Sequence, residues 1–179
     1  MASNKYPIVK LRAAISSLLA ICCLFNNAEA ANDSELIRAS IIEKISRFIE
    51  WPVWTGGQFT LCAADNTPLL PALQSYYANS SLVDKPVSLL AFRSLKELKN
   101  CQVIYLSDNQ SDDLATILQT AHNKPILIVT EKKDDVSQGV HVDFFVEDNR
   151  LHLEVNRAAL LSSGLKASYH LLKVARIVE

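Results

Sequence analysis

"QFTLCAAD", Gln58 to Asp65, decides the fold. It is a short apolar run with turn signals on both sides, Gly56-Gly57 before it and Pro68 after it, and it reads as a buried strand. Downstream, "LLPALQSYYA" reads as a helix ended by the polar "NSS", "KPVSLLAF" as a second strand and "SLKELKN" as a short helix. "CQVIYLS" reads as a third strand, "SDDLATILQTAHN" as a helix and "KPILIVTE" as a further strand. This alternation predicts a single α/β domain with a mixed, mostly parallel sheet flanked by helices.

The pattern changes after Gly139, where "VHVDFFVEDNRLHLEV" has the form of a β-hairpin. With Asp148 and Asn149 in the loop, Val146 pairs with Leu151, Phe144 with Leu153 and Val142 with Val155, all on one apolar face. The same register sets Glu147 opposite Arg150, a favourable pair, and Asp143 opposite Glu154, an unfavourable one. The closing run predicts a helix ended at Gly164, then a terminal helix with Leu171, Leu172, Val174 and Ala175 packed inward.

On the N-terminal side, "NDSELIRASIIEKISRFIE" carries Ile37, Ile41, Ile45 and Phe48 at helical spacing, widened by Ile42 and Ile49. Asn32 and Glu35 have the spacing of a capping box, with Asp33 or Ser34 as alternative caps, and Pro52 closes the helix, so Trp51 is the first non-helical residue expected. Glu50, between apolar neighbours, raises the question of catalysis. That would need a second group and a pKa raised by burial. The plainer reading places Glu50 in the last helical turn, with Ile49 and Trp51 supplying packing.

Residues 1–30 read as a cleaved signal peptide: Lys5, Lys10 and Arg12 precede the apolar "AAISSLLAICCLF", and "AEA" supplies the cleavage site after Ala30. Residues 31–179 then form the mature domain. Cys22 follows Ile21 rather than the small residue a lipoprotein site needs, and the apolar run is shorter than the ~20 residues of a membrane span. Removing Lys5, Lys10, Arg12 and Glu29 turns 18 basic and 19 acidic residues into 15 and 18, a net charge of −3. No basic footprint for nucleic acid is expected from that balance.

Four glycines, Gly56, Gly57, Gly139 and Gly164, leave no phosphate-binding loop of GxGxxG or GxxxxGK form. There is no CxxC or HExxH spacing for zinc and no GxSxG elbow for a serine hydrolase. His141 and His152 in the hairpin read as surface residues, and His122 and His170 have no identifiable catalytic partner. No enzyme activity, cofactor or metal is expected. Cys62 and Cys101 are the two cysteines of the mature chain, and an even count in an exported protein favours a disulfide. A redox-active bond and two free thiols remain the alternatives.

Three segments resemble the YfiR family in order and spacing: "KISRFIEWP", the pair "FTLCAAD" and "LKNCQVIYLS", and "VEDNRLHLEVNRAALLSSGLKASYHLLKVARIV". The resemblance runs from Ser34 to Val178. It implies a periplasmic α/β binding protein that represses an inner-membrane diguanylate cyclase of the YfiN type, lowering cyclic-di-GMP and restraining biofilm formation. It also implies a homodimer and supports the Cys62–Cys101 pair, whereas a second cysteine pair of some members, nearer the C-terminus, is missing here. The segment from Glu154 to Ser168 is the expected partner contact, through Glu154, Asn156, Arg157, Lys166 and Ser168 with Leu160 and Leu165 beside them. The two leucines fit a core role equally well. A periplasmic small-ligand sensor, using Trp51, Trp54, Tyr76 and Tyr77, is the alternative function.

Overall fold

The structure, a computed structural model, describes residues 33–53 and 55–178. The expected signal peptide, the expected cap Asn32 and Trp54 therefore lie outside the described residues. The chain runs α1 (33–47), β1 (Ile49–Glu50), β2 (Phe59–Ala64), α2 (Leu70–Tyr77), β3 (Ser81–Leu82) and β4 (Lys85–Phe92). Next come β5 (Val103–Leu106), α3 (Leu114–Ala121), β6 (Leu127–Thr130), β7 (Val142–Glu147) and β8 (Arg150–Asn156). The chain closes with α4 (Arg157–Ser162), β9 (Lys166–Ala167), α5 (Tyr169–Val174) and β10 (Arg176–Val178). Short 3-10 turns cover Leu95–Asn100, Asp108–Asp113 and Asp135–Gln138.

The main sheet has the order β10-β8-β7-β6-β5-β2-β4-β3. From β4 through β7 neighbours are parallel, and β8 then runs antiparallel to β7. Along the parallel strands the pleat sends alternate residues to two separate cores. Phe59, Leu61, Ala63, Val103, Tyr105, Leu127 and Val129 pack under α1, α2 and Leu160, Leu165 and Leu171. Cys62, Ala64, Ile104, Leu106 and Ile128 face the other way, against Leu98, Leu114, Ile117 and Ala121. Within that second layer Cys62 and Cys101 form a disulfide with Cα atoms 5.9 Å apart.

The hairpin register is the one the sequence predicts, from Val142↔Val155 through Glu147↔Arg150. Asp148 and Asn149 occupy the left-handed region at φ 52° and 57°, the requirement of a two-residue turn whose twist matches the strands. The six apolar residues share a face, but at the tip Val146 and Leu151 are exposed.

Four local expectations are corrected. α1 ends at residue 47, and Ile49–Glu50 pairs antiparallel with Lys166–Ala167, so Glu50 lies in a strand and not in a helical turn. A hairpin unseen in the sequence, β3–β4, turns through Val83 and Asp84, both with positive φ. The terminal helix stops at Val174, and Arg176–Val178 joins the sheet as a strand parallel to β8. Val174 is exposed, whereas Leu171 is buried and Leu172 and Ala175 are partly so.

Candidate partner-binding surface

The β1–β9 ladder carries "RFIEWP" onto the C-terminal part of the chain. Ile49 stands opposite Ala167, Glu50 opposite Lys166, and the Ser168 amide donates to the Phe48 carbonyl at 2.8 Å. Trp51 turns inward: its Nε1 donates to the Ser46 carbonyl at 2.9 Å, and its ring meets Phe59 edge-on at 5.1 Å. Glu50 stays exposed beside a cleft of about 270 Å³ lined by Arg157, Leu160, Leu161, Lys166, Ala167 and Leu172. Its two basic groups and one acid leave it net positive over an apolar floor.

Capping fixes α4 and α5 around this cleft. Asn156 Oδ1 accepts from the Ala159 amide at 2.7 Å, while its Nδ2 donates to the Val136 carbonyl at 2.8 Å. At the other end Gly164 takes φ +71°, which lets Leu165 N reach the Leu160 carbonyl at 2.9 Å. Ser168 caps α5 by accepting from Leu171 N. Of the expected contact residues, the structure brings Arg157 and Lys166 to the cleft as exposed side chains and places Leu160 in its floor. Leu165 is core, Asn156 and Ser168 are half-buried caps, and Glu154 is buried under Arg176. Sequence reasoning left out Glu50 and the half-exposed Leu161, because the β1–β9 pairing that assembles them spans more than a hundred residues.

His141 is not a surface residue. It is buried, its Nδ1 accepts from the Ile128 amide at 2.9 Å and its Nε2 lies 3.0 Å from Ser163 Oγ. Because Nδ1 is occupied as an acceptor, Nε2 carries the proton, so this imidazole does not serve as a base toward Ser163. Burial lowers the His141 pKa to about 4, keeping the ring neutral. His152 stacks on Phe145 at 5.4 Å. Among the described residues no group of three or more His, Cys, Asp or Glu is placed to hold a metal ion.

The described residues form a single α/β domain with a mixed-charge cleft and a disulfide in the second layer of its sheet. Matching the YfiR/HmsC-like family model over residues 35–176, the chain belongs to that family, which is regulatory and non-catalytic. Membership is consistent with a periplasmic regulator of cyclic-di-GMP signalling. No curated protein matches the chain. Among solved structures, an ABC domain in complex with L-Trp from Streptococcus pneumonia is similar at TM-score 0.54 and 9% identity, covering 80% of this chain and 62% of that one. A conserved domain protein from Vibrio cholerae O1 biovar El Tor is similar at TM-score 0.51 and 10% identity, covering 81% of this chain and 60% of that one. The chain thus spans about three-fifths of the length of either, and at these identities the likeness is one of fold. No helix among the described residues is long and apolar enough to cross a membrane.

Proposed function

We propose that this protein is exported to the periplasm, forms a homodimer, and represses an inner-membrane diguanylate cyclase of the YfiN type by binding the cyclase's periplasmic sensory part. The observation that carries this reading is the family match, which extends over residues 35–176. Repression needs only a higher affinity for the inactive state of the cyclase than for the active one. The cleft suits such selective binding, with Arg157 and Lys166 to steer an acidic partner segment and Leu160, Leu161 and Leu172 to supply apolar contact. The test is a titration of the purified mature domain against the periplasmic sensory part of a YfiN-type cyclase from the same organism. Saturable binding is expected, weakened at least about tenfold by Arg157→Glu with Lys166→Glu, since charge reversal at a contact costs more than ~1.4 kcal/mol. A folded sensory part that does not bind contradicts the reading.

One observation favours the alternative of a small-ligand sensor. Of the aromatics expected to serve it, Trp51 turns inward, Tyr77 is buried with its hydroxyl on the Ala39 carbonyl, and Tyr76 donates to Glu43. A second cleft of about 270 Å³, however, opens at the carboxyl ends of β2, β4 and β5, lined by Asp65, Asn66, Arg93 and Gln110. Parallel α/β sheets bind ligands at that edge, where successive crossovers leave in opposite directions. A thermal-shift screen tests it, because a ligand bound only by the folded state raises the melting temperature.

A further inference from the structure

One transverse row of four polar residues crosses four strands: Thr130 on β6 is the register partner of Asp143 on β7, Asp143 of Glu154 on β8, and Glu154 of Arg176 on β10. Asp143 and Glu154 are buried, on the face opposite Val142, Phe144 and Val155. The 3-10 turn Asp135–Gln138 covers them. Val136 N donates to Asp143 Oδ2 at 3.4 Å, and Asn156 Nδ2 ties the same turn down through the Val136 carbonyl. Arg176 Nε donates to Glu154 Oε1 at 2.6 Å, so the one cation entering the row is spent on Glu154. Asp143 Oδ1 and Glu154 Oε2 are each buried without a hydrogen-bond partner.

The surroundings offer little compensation. Asp134 and Asp135 from the covering turn add negative charge, with Asp108 acting on Asp135 from further off. Lys132 lies toward Asp135, Lys133 is held by Glu147 at 2.7 Å, and Arg176 is already shared between Glu154 and Asp134. Along the same face, His141 is neutral and His152 is stacked on Phe145. Two buried carboxylates in one β-bridge with a single guanidinium between them leave one charge uncompensated, which a bound proton removes.

We propose that Asp143, backed by Glu154, is a buried proton-binding site: when it empties, its charge meets Asp134 and Asp135 of the covering segment and the 135–138 turn loosens from the sheet. Burial, then Glu154, Asp135 and Asp134, push the Asp143 pKa up to about 7 against the opposing Val136 hydrogen bond. The sign follows directly: a carboxyl whose folded pKa lies above its unfolded value of 3.8 binds an extra proton in the fold, so its contribution to stability falls as pH rises from about 4 through 7. The proposal does not depend on the identity of the partner.

The test is a carboxyl-carbon NMR titration of the mature protein, with the Asp143 signal assigned by its loss in Asp143→Asn. An Asp143 midpoint between about 6 and 8 is expected. In Glu154→Gln that midpoint drops by at least about one pH unit, because the neighbouring negative charge is gone. Amide exchange at Gly139 and Val140, whose N–H groups donate to the Val136 and Asp135 carbonyls of the turn, should, after correction for intrinsic rates, quicken between about pH 5.5 and pH 8 in the wild type and not in Asp143→Asn. An Asp143 midpoint below about 5, or exchange at both amides with no pH response beyond the intrinsic one, overturns the proposal. Should Asp143→Asn fail to fold, assignment through Glu154→Gln and the wild-type titration still decide it.

Discussion

The parallel half of the sheet and its antiparallel edge solve the same packing problem with opposite materials. β2, β5 and β6 are apolar on both faces, covered by helices, and locked by Cys62–Cys101. β7 and β8 bury one apolar face, but on the other they carry the buried polar groups Asp143 and Glu154, with His141 just before β7, all held by side-chain hydrogen bonds, and with Arg176 of β10 on Glu154. The contrast separates a scaffold held by apolar packing and a disulfide from an edge held in part by buried polar groups. The cleft with Arg157 and Lys166 grows out of that edge through Asn156, which ends β8, caps α4 and holds the turn over Asp143.

The largest effect is expected in the scaffold. Phe59 is fully buried beneath Trp51, and Phe59→Ala should cost about 3–5 kcal/mol of unfolding free energy in a denaturant titration. A loss under about 1 kcal/mol would mean that this core is loosely packed. Next, replacing Cys62 and Cys101 together opens a loop of sequence separation 39, for which chain entropy gives about 4 kcal/mol. The same loss is expected from a reductant acting on the wild type, and equal stability of the oxidised and reduced protein would remove the lock from the scaffold.

The edge should respond to pH. His141 has a folded pKa depressed from 6.5 to about 4, so its neutral form is favoured by the fold. Its stabilisation is full above pH 6.5 and is lost as pH falls toward 4, up to about 3 kcal/mol. Comparing pH–stability curves of the wild type and His141→Gln checks this, with the slope between those limits shrinking in the variant. Smallest in stability is the surface: Arg157→Glu with Lys166→Glu should change unfolding by less than about 1 kcal/mol, since both side chains are exposed, while impairing partner binding. Marked destabilisation by that pair would make the cleft structural.

How far the sequence could be read divides along the same line. The parallel strands were readable because fully buried strands are continuous apolar runs, and the hairpin because alternation and the Asp148-Asn149 turn both fix one register. What escaped reading depends on distant partners. Phe48 and Ile49 fit a helical stripe as well as a strand, and only the pairing with Ala167 decides for the strand. "RIV" extends a helical pattern until β8 offers it an edge. Val83-Asp84 lacks the glycine or asparagine that announces a two-residue turn. His141 looks like any hairpin histidine until Ile128 and Ser163 are brought to its two nitrogens. Of the expected contact residues, Arg157 and Lys166 line the cleft, whereas Leu165 and Glu154 point inward and Glu50 arrives from the other end of the chain.

The proposed repression is tested most directly by cyclic-di-GMP itself. In a host strain that expresses a YfiN-type membrane cyclase, deleting this gene should raise the cyclic-di-GMP level, and supplying the wild-type protein should restore it. The exported, folded Arg157→Glu, Lys166→Glu protein should fail to do so. An unchanged level after deletion, with the cyclase demonstrably active, would contradict the account.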